Sequence, residues 1–200
     1  MHWLPVHRYG EYVQKTKKPF ILGLGGTTSP ESSTEQALAI SLQATADAGA
    51  ETELFGAERL MALPHYRADP AGINKTGRDL VALVRRADGL LLASPGYHGT
   101  VSGLVKNAID YIEETSRDER VYLDGLPIGL IVTAHGWQAV GSTLAALRSI
   151  VHSLRGWPTP LGVGINVSGG MFRDGICNDE GVNSQLEMVA QQVMQRAETR

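Results

Sequence analysis

From Phe20 onward, short apolar runs alternate five times with stretches of helical periodicity. The runs cover residues 20–24, 51–55, 89–93, 128–133 and 161–167, the second being the weakest. The helical stretches cover 33–48, 74–87, 103–114, 138–154 and 181–197, with residues 56–73 irregular and broken by Pro64 and Pro70. Leu80, Leu83, Val84 and Ala87 show the spacing that puts apolar side chains on one helix face. Parallel strands need a long crossover, and a helical crossover covers one face of the sheet. The runs at 89–93 and 128–132 have no polar side, as a strand buried on both faces requires. The alternation therefore predicts an α/β fold.

Right-handed crossovers leave few topologies for five such units. Five strands favour the flavodoxin-like order 2-1-3-4-5, a three-layer αβα sandwich around a parallel sheet. Ligands of such sheets bind beyond the carboxyl ends of the strands, here strands one and three. No linker, repeat or low-complexity segment interrupts residues 20–200, which read as one domain.

Residues 1–19 differ and read as an N-terminal arm. They carry Arg8, Lys15, Lys17 and Lys18 against Glu11, with Trp3, Tyr9 and Tyr12. The arm is expected to pack on the domain or on a neighbouring subunit; its charge density is low for a nucleic-acid or membrane tail. The net charge of −3 also argues against nucleic acid as a partner. Cys177 is the only cysteine, which excludes an internal disulfide and suits a reducing cytoplasm. No apolar run has the length of a membrane span, and no secretory signal is read at the start. The histidines His2, His7, His65 and His152 are scattered without metal-ligand spacing.

Two loops carry the chemistry. After the first strand, residues 25–34 hold Thr27, Thr28, Ser29, Ser32, Ser33 and Thr34. They precede a helix whose first amides lack partners within the helix, a place that favours an anion. Ser32 with Glu35 has capping-box spacing, so the hydroxyls also read as a cap with solvated neighbours. The third glycine of the dinucleotide fingerprint and the Gly-Lys-Ser/Thr of a nucleotide-triphosphate loop are both missing. After the third strand comes Ser94-Pro95-Gly96-Tyr97-His98-Gly99, whose open backbone and flat side chains suit a planar ring. Phosphate at one loop and a ring at the other suggest a mononucleotide. Lys106 and Asp110, one helical turn apart, are expected to pair while Asn107 fixes a loop. The Gly-x-Ser-x-Gly elbow of α/β hydrolases does not occur.

Gly26-Thr27-Thr28-Ser29 followed by Ser32-Ser33-Thr34 resembles the phosphate loop of the NADPH-dependent FMN reductase family. Residues 94–99, with Gly103, Lys106, Asn107 and Asp110, resemble that family's second signature, usually Pro-Glu-Tyr-Asn-Gly-Ser, then Pro-Gly and Lys-Asn with an Asp. Gly96 stands for the usual Glu, His98 for the Asn and Ser102 for the Pro. Pro30 and Glu31 stand where many relatives carry an arginine.

The resemblance implies a flavodoxin-like fold binding FMN, with NADPH or NADH as hydride donor. It implies that Thr27, Ser29, Ser32, Ser33 and Thr34 hold the phosphate. Pro95, Gly96, Tyr97, His98 and Gly99 would line the isoalloxazine. His135 and Gly136, in the loop 133–137, would approach the ring from the other side, and Trp137 would flank the cofactor or a substrate ring. The activity implied is NAD(P)H-dependent FMN reduction. Alternatives are an FMN-containing quinone or azo reductase and, outside enzymes, a flavodoxin-like electron carrier. A homodimer or homotetramer and a flavin-dependent monooxygenase partner are also implied. The flavin carries the redox chemistry, so no catalytic residue is assigned. A preference for NADPH would need a cation facing its 2′-phosphate, and Arg67, Arg85 and Arg117 await placement.

Overall fold

Strands and helices alternate as the apolar runs require, in a computed structural model that describes residues 18–69 and 72–199. The first half contains β1 (Phe20–Gly25), α1 (Ser33–Asp47), β2 (Glu51–Phe55), α2 (Ala57–Met61), α3 (Lys75–Arg86) and β3 (Gly89–Tyr97). Then come β4 (Thr100–Val101) and α4 (Gly103–Asp110), which tightens into a 3₁₀ turn at Tyr111–Thr115. The second half contains β5 (Pro127–Ala134), α5 (Trp137–Ser153), β6 (Trp157–Asn166), the pair β7 (Phe172–Arg173) and β8 (Ile176–Cys177), and α6 (Glu180–Ala197). Residues 1–17, most of the expected arm, lie outside the described residues.

The parallel strands lie in the order β2-β1-β3-β5-β6. This is the expected 2-1-3-4-5 order, since β4 only folds back antiparallel on the end of β3. Side chains along a strand alternate between faces, and the core divides accordingly. Leu22, Leu24, Leu90, Leu92, Ile128 and Leu130 pack with Leu80, Val84, Val105 and Leu147 of α3, α4 and α5. Ile21, Leu91, Ile131 and Val163 pack with Leu38 and Leu42 of α1 and with Leu186, Val189 and Val193 of α6. These helices cover both faces, so the sheet exposes its strand ends rather than a face.

The structure corrects the expected boundaries. Strand β3 runs on past Ala93 through Pro95 and Gly96, which read in the sequence as a turn. Strand β6 begins at Trp157 rather than 161, because an irregular register between Ile128 and Leu130 of β5 accommodates Pro158. Residues 56–73 contain the short α2. The β7–β8 hairpin was not anticipated.

Candidate functional site

At the carboxyl ends of β1, β3, β5 and β6 lies a cleft of about 260 Å³. Thr27, Ser32, Ser33 and Thr34 form one wall; Pro95, Gly96 and Tyr97 form another. Thr133, Ala134 and His135 close it from β5, and Val167 from just beyond β6. Eight of the twelve expected site residues, from three separate stretches of the sequence, thus meet in one place. Ser29, His98, Gly99 and Gly136 do not line the cleft. They shape the loops that do.

The first wall is the start of α1. Ser32 is its N-cap, and its Oγ accepts from the Glu35 N–H at 3.3 Å. The Ser32 hydroxyl proton remains free to donate. The N–H groups of Ser33 and Thr34 lie in the first turn, where no intrahelical acceptor reaches them. Ser29 works inside the loop: its N–H donates to Thr27 Oγ1 at 3.0 Å. Thr34 and Thr133 are buried, with their hydroxyls 2.6 Å apart. One proton serves that bond, leaving one hydroxyl proton for a ligand and the Thr34 N–H beside it. This bond also ties α1 to the end of β5.

The expected capping box is only half formed. Glu35 does not return to its own helix; its Oε2 accepts from the Ala57 N–H at 2.6 Å and caps α2 instead. Burial pushes the Glu35 carboxyl above its usual range. The Ala57 N–H opposes that rise, and nearby Glu58 adds to it.

The second wall is a two-residue hairpin. Gly96 pairs with Val101 and Tyr97 with Thr100, leaving His98 and Gly99 as the turn. Their φ values are 52° and 85°. Left-handed φ at both central residues is the turn that matches strand twist, and it favours Asn-Gly. Histidine is among the few side chains enriched there, so His98 has a backbone role at the exposed tip. Gly96 is required by packing: a Cβ there would lie 2.9 Å from Thr143 Oγ1 and 3.2 Å from the Ala139 carbonyl. A Glu in its place needs α5 farther away. The hairpin base is fixed by Ser94 Oγ, which accepts from the Ser102 N–H at 3.1 Å.

The third wall follows β5. Asn166 Oδ1 accepts from the Gly136 N–H at 2.7 Å, and His135 Nδ1 lies 3.2 Å from the Val167 carbonyl. A proton on Nδ1 makes that contact a hydrogen bond and leaves Nε2 as an acceptor. Asn166 and Val167 were not singled out in the sequence, although strand ends are where this sheet class binds ligands. Tyr97 and Trp137, 52% and 67% exposed, stand on the two loops that end β3 and β5. The enclosed volume is smaller than the roughly 300–1,000 Å³ of pockets that bury a whole ligand. A ligand larger than this volume extends over the rim.

Lys106 pairs with Asp110 at 2.5 Å, as expected. The loop that Asn107 fixes is at Pro64–Tyr66: its Oδ1 accepts from the Tyr66 N–H and its Nδ2 donates to the Pro64 carbonyl. Arg85, one of the cations awaiting placement, is bound to Asp118 and the Glu114 carbonyl.

The model of one protein family, NADPH-dependent FMN reductase, matches residues 19–169. An FMN-dependent NADPH-azoreductase of Staphylococcus aureus is 36% identical over 88 residues, 44% of this chain and 43% of that one. Its counterpart in Staphylococcus haemolyticus is 39% identical over 83 residues, 42% and 40% of the two chains. The chain therefore matches under half the length of these relatives. Among solved structures, the flavoenzyme NAD(P)H:(acceptor) oxidoreductase FerB of Paracoccus denitrificans superposes with a TM-score of 0.69 at 21% identity. That match covers 90% of this chain and 98% of FerB. The apo form of the NADH:FMN oxidoreductase EmoB gives 0.69 at 20% identity over 89% of each chain. These two likenesses concern the fold. With the family match spanning well over half of the sequence, the chain belongs to the NADPH-dependent FMN reductase family.

Proposed function

We propose that this protein binds FMN in the cleft and uses a reduced nicotinamide dinucleotide, NADPH or NADH, to reduce it. One observation carries the reading: an anion-type helix start and a glycine-bearing hairpin, far apart in sequence, share a single cleft. Ser32 and the Ser33 and Thr34 amides would hold the phosphate, with Thr27 beside them. Pro95, Gly96 and Tyr97 would lie along the ring, and Ala134 and His135 would close its other side. His98, Gly99 and Gly136 would act by fixing those loops. When bound, FMN supplies a hydride acceptor at N5 and returns electrons to an oxidant. The protein's part is to hold the dianion and orient the ring. Preorganised N–H groups beside the ring favour the negative charge of its reduced state.

Anaerobic absorption spectra test this. The protein should take up one FMN per chain and turn yellow, then bleach on addition of NADPH or NADH. A chain that is colourless once unbound FMN is removed overturns the reading, and a yellow chain that neither dinucleotide bleaches leaves an electron carrier.

A second reading, an FMN-containing quinone or azo reductase, is favoured by the exposed Tyr97 and Trp137 at the rim. They suit stacking of a flat acceptor, and the relatives named above are azoreductases. Ping-pong kinetics with retained FMN support it; free FMN as a saturable substrate supports the first. The proposal includes a homodimer or homotetramer, checked by light scattering. It also includes a flavin-dependent monooxygenase as consumer of reduced flavin, checked by coupled turnover, and a cytoplasmic location. Among the described residues, no helix is long and apolar enough to cross a membrane.

A further inference from the structure

A phosphate carries close to two negative charges, yet among the described residues no lysine or arginine lines the cleft. The loop between β1 and α1 also forms a wall of a second cavity, of about 610 Å³. Pro30 and Glu31 face it from the loop, Glu35 and Gln36 from α1, and Arg173 and Asp174 from the β7–β8 hairpin. Among the described residues, Arg173 is the one lysine or arginine lining either cavity. Among the described residues it forms no ion pair, in contrast to Arg59, Arg85 and Arg86.

The hairpin that carries Arg173 is built and anchored. Phe172 pairs with Cys177 and Arg173 with Ile176, around an Asp174-Gly175 turn. The turn residues have φ values of 52° and 78°, the tight form that Asp-Gly favours. Gln36 then bridges hairpin and loop. Its Nε2 donates to the Glu31 carbonyl at 2.6 Å, and its Oε1 accepts from the Gly175 N–H at 2.9 Å. One side chain thus holds the Arg173 turn against the backbone that leads into the Ser32 cap.

We infer that Arg173 is the cation for an anion bound at the start of α1, delivered by the hairpin and set in place by Gln36. The inference rests on the phosphate reading above. Glu31 and Asp174 are exposed carboxylates in the same cavity, and Glu35 is a buried carboxyl beside them. Without Arg173, the field across the shared loop opposes a dianion. The field of a charge falls off over about 8–10 Å at physiological salt, so action across the loop does not require direct contact. Gln36 is a positioning residue in this arrangement.

Riboflavin, which is FMN without the phosphate, isolates the effect. Fluorescence titrations of wild type, Arg173→Ala, Arg173→Lys and Gln36→Leu with FMN and with riboflavin form the test. Arg173→Ala is expected to weaken FMN about threefold, the size of a screened attraction between a single charge and a dianion, and to leave riboflavin unchanged. Arg173→Lys should restore most of the loss, and Gln36→Leu should show part of it. The salt dependence of FMN affinity should flatten in Arg173→Ala. If wild type prefers FMN and Arg173→Ala keeps that preference, the inference is wrong and the phosphate site stands. If wild type binds both flavins equally, the phosphate reading itself fails. Equal losses for both flavins would show a structural role for Arg173 and also overturn the inference.

Discussion

Single side chains near the cleft are held by geometry that their sequence neighbours do not reveal. Thr143 on α5 backs the Gly96 stem with a buried hydroxyl that has no hydrogen-bond partner among the described residues. A buried polar group without a partner costs about 1–3 kcal/mol, and removing it with little change of shape recovers part of that. Thr143→Val should therefore stabilise the protein by about 1 kcal/mol in urea unfolding. A loss of similar size would mean that the hydroxyl is satisfied in solution. Glu35 gives a pH-dependent counterpart. Its carboxyl is raised from the ordinary 4.5 by burial, against the pull of the Ala57 N–H and with a further push from Glu58. A group that holds its proton more tightly when folded stabilises the fold below its unfolded value. That contribution is lost as pH climbs through the raised value. Glu35→Gln keeps an acceptor for Ala57 and cannot ionise. Its stability relative to wild type should rise as pH climbs above the ordinary 4.5 through the raised value, read as urea midpoints. Parallel curves for the two proteins would contradict the assignment.

Elements explain why some parts of the molecule were legible in the sequence and others were not. Side-chain caps start several helices: Ser32 caps α1 inside the cleft, and Asp179 caps α6 through the Val182 N–H outside it. Replacing either cap by alanine should cost about 1 kcal/mol of stability. Only Ser32→Ala should also weaken FMN binding, so paired unfolding and flavin titrations separate cap from ligand contact. Equal FMN affinity in both variants would remove Ser32 from the site. The central strands β1, β3 and β5 announced themselves because both-face burial needs unbroken apolar runs, as at Leu90–Leu92. Pro95 concealed the end of β3, since proline cannot donate to a ladder, although it is tolerated at a strand's end. Pro158 and Pro160 concealed the start of β6 in the same way. Asp174-Gly175 is a hairpin turn signal, but the flanking strands of two residues each are too short for periodicity to show. The eight residues that meet in the cleft were identified through loop chemistry and family resemblance. Two supports of the third wall were not legible: the Asn166 side chain accepts from the Gly136 N–H and the Val167 carbonyl faces His135, partners that only the fold brings together.

At the scale of the molecule, the cleft is a place where separated parts of the chain are joined. The Thr34–Thr133 contact spans 99 positions, and Gly136 is held from Asn166 across 30. A ligand touching α1, the β3–β4 hairpin and the ends of β5 and β6 bridges elements on both sides of the sheet. Such a ligand should stabilise the global fold rather than one loop. At a hundredfold excess over its dissociation constant, FMN should add about 2.7 kcal/mol to unfolding. For a domain of this size that is about 5–10 °C in Tm. Riboflavin at the same concentration should add less, because it lacks the group that reaches α1. Hydrogen exchange locates the gain. Amides that open only by global unfolding, expected in Leu91 and Ile131 at the centre of the sheet, should slow together with those of the loops. If saturating FMN slowed only loop amides and left the central strands unchanged, the cleft would open as a separate unit. The contacts between α1 and β5 would then be local in effect, despite their separation in sequence.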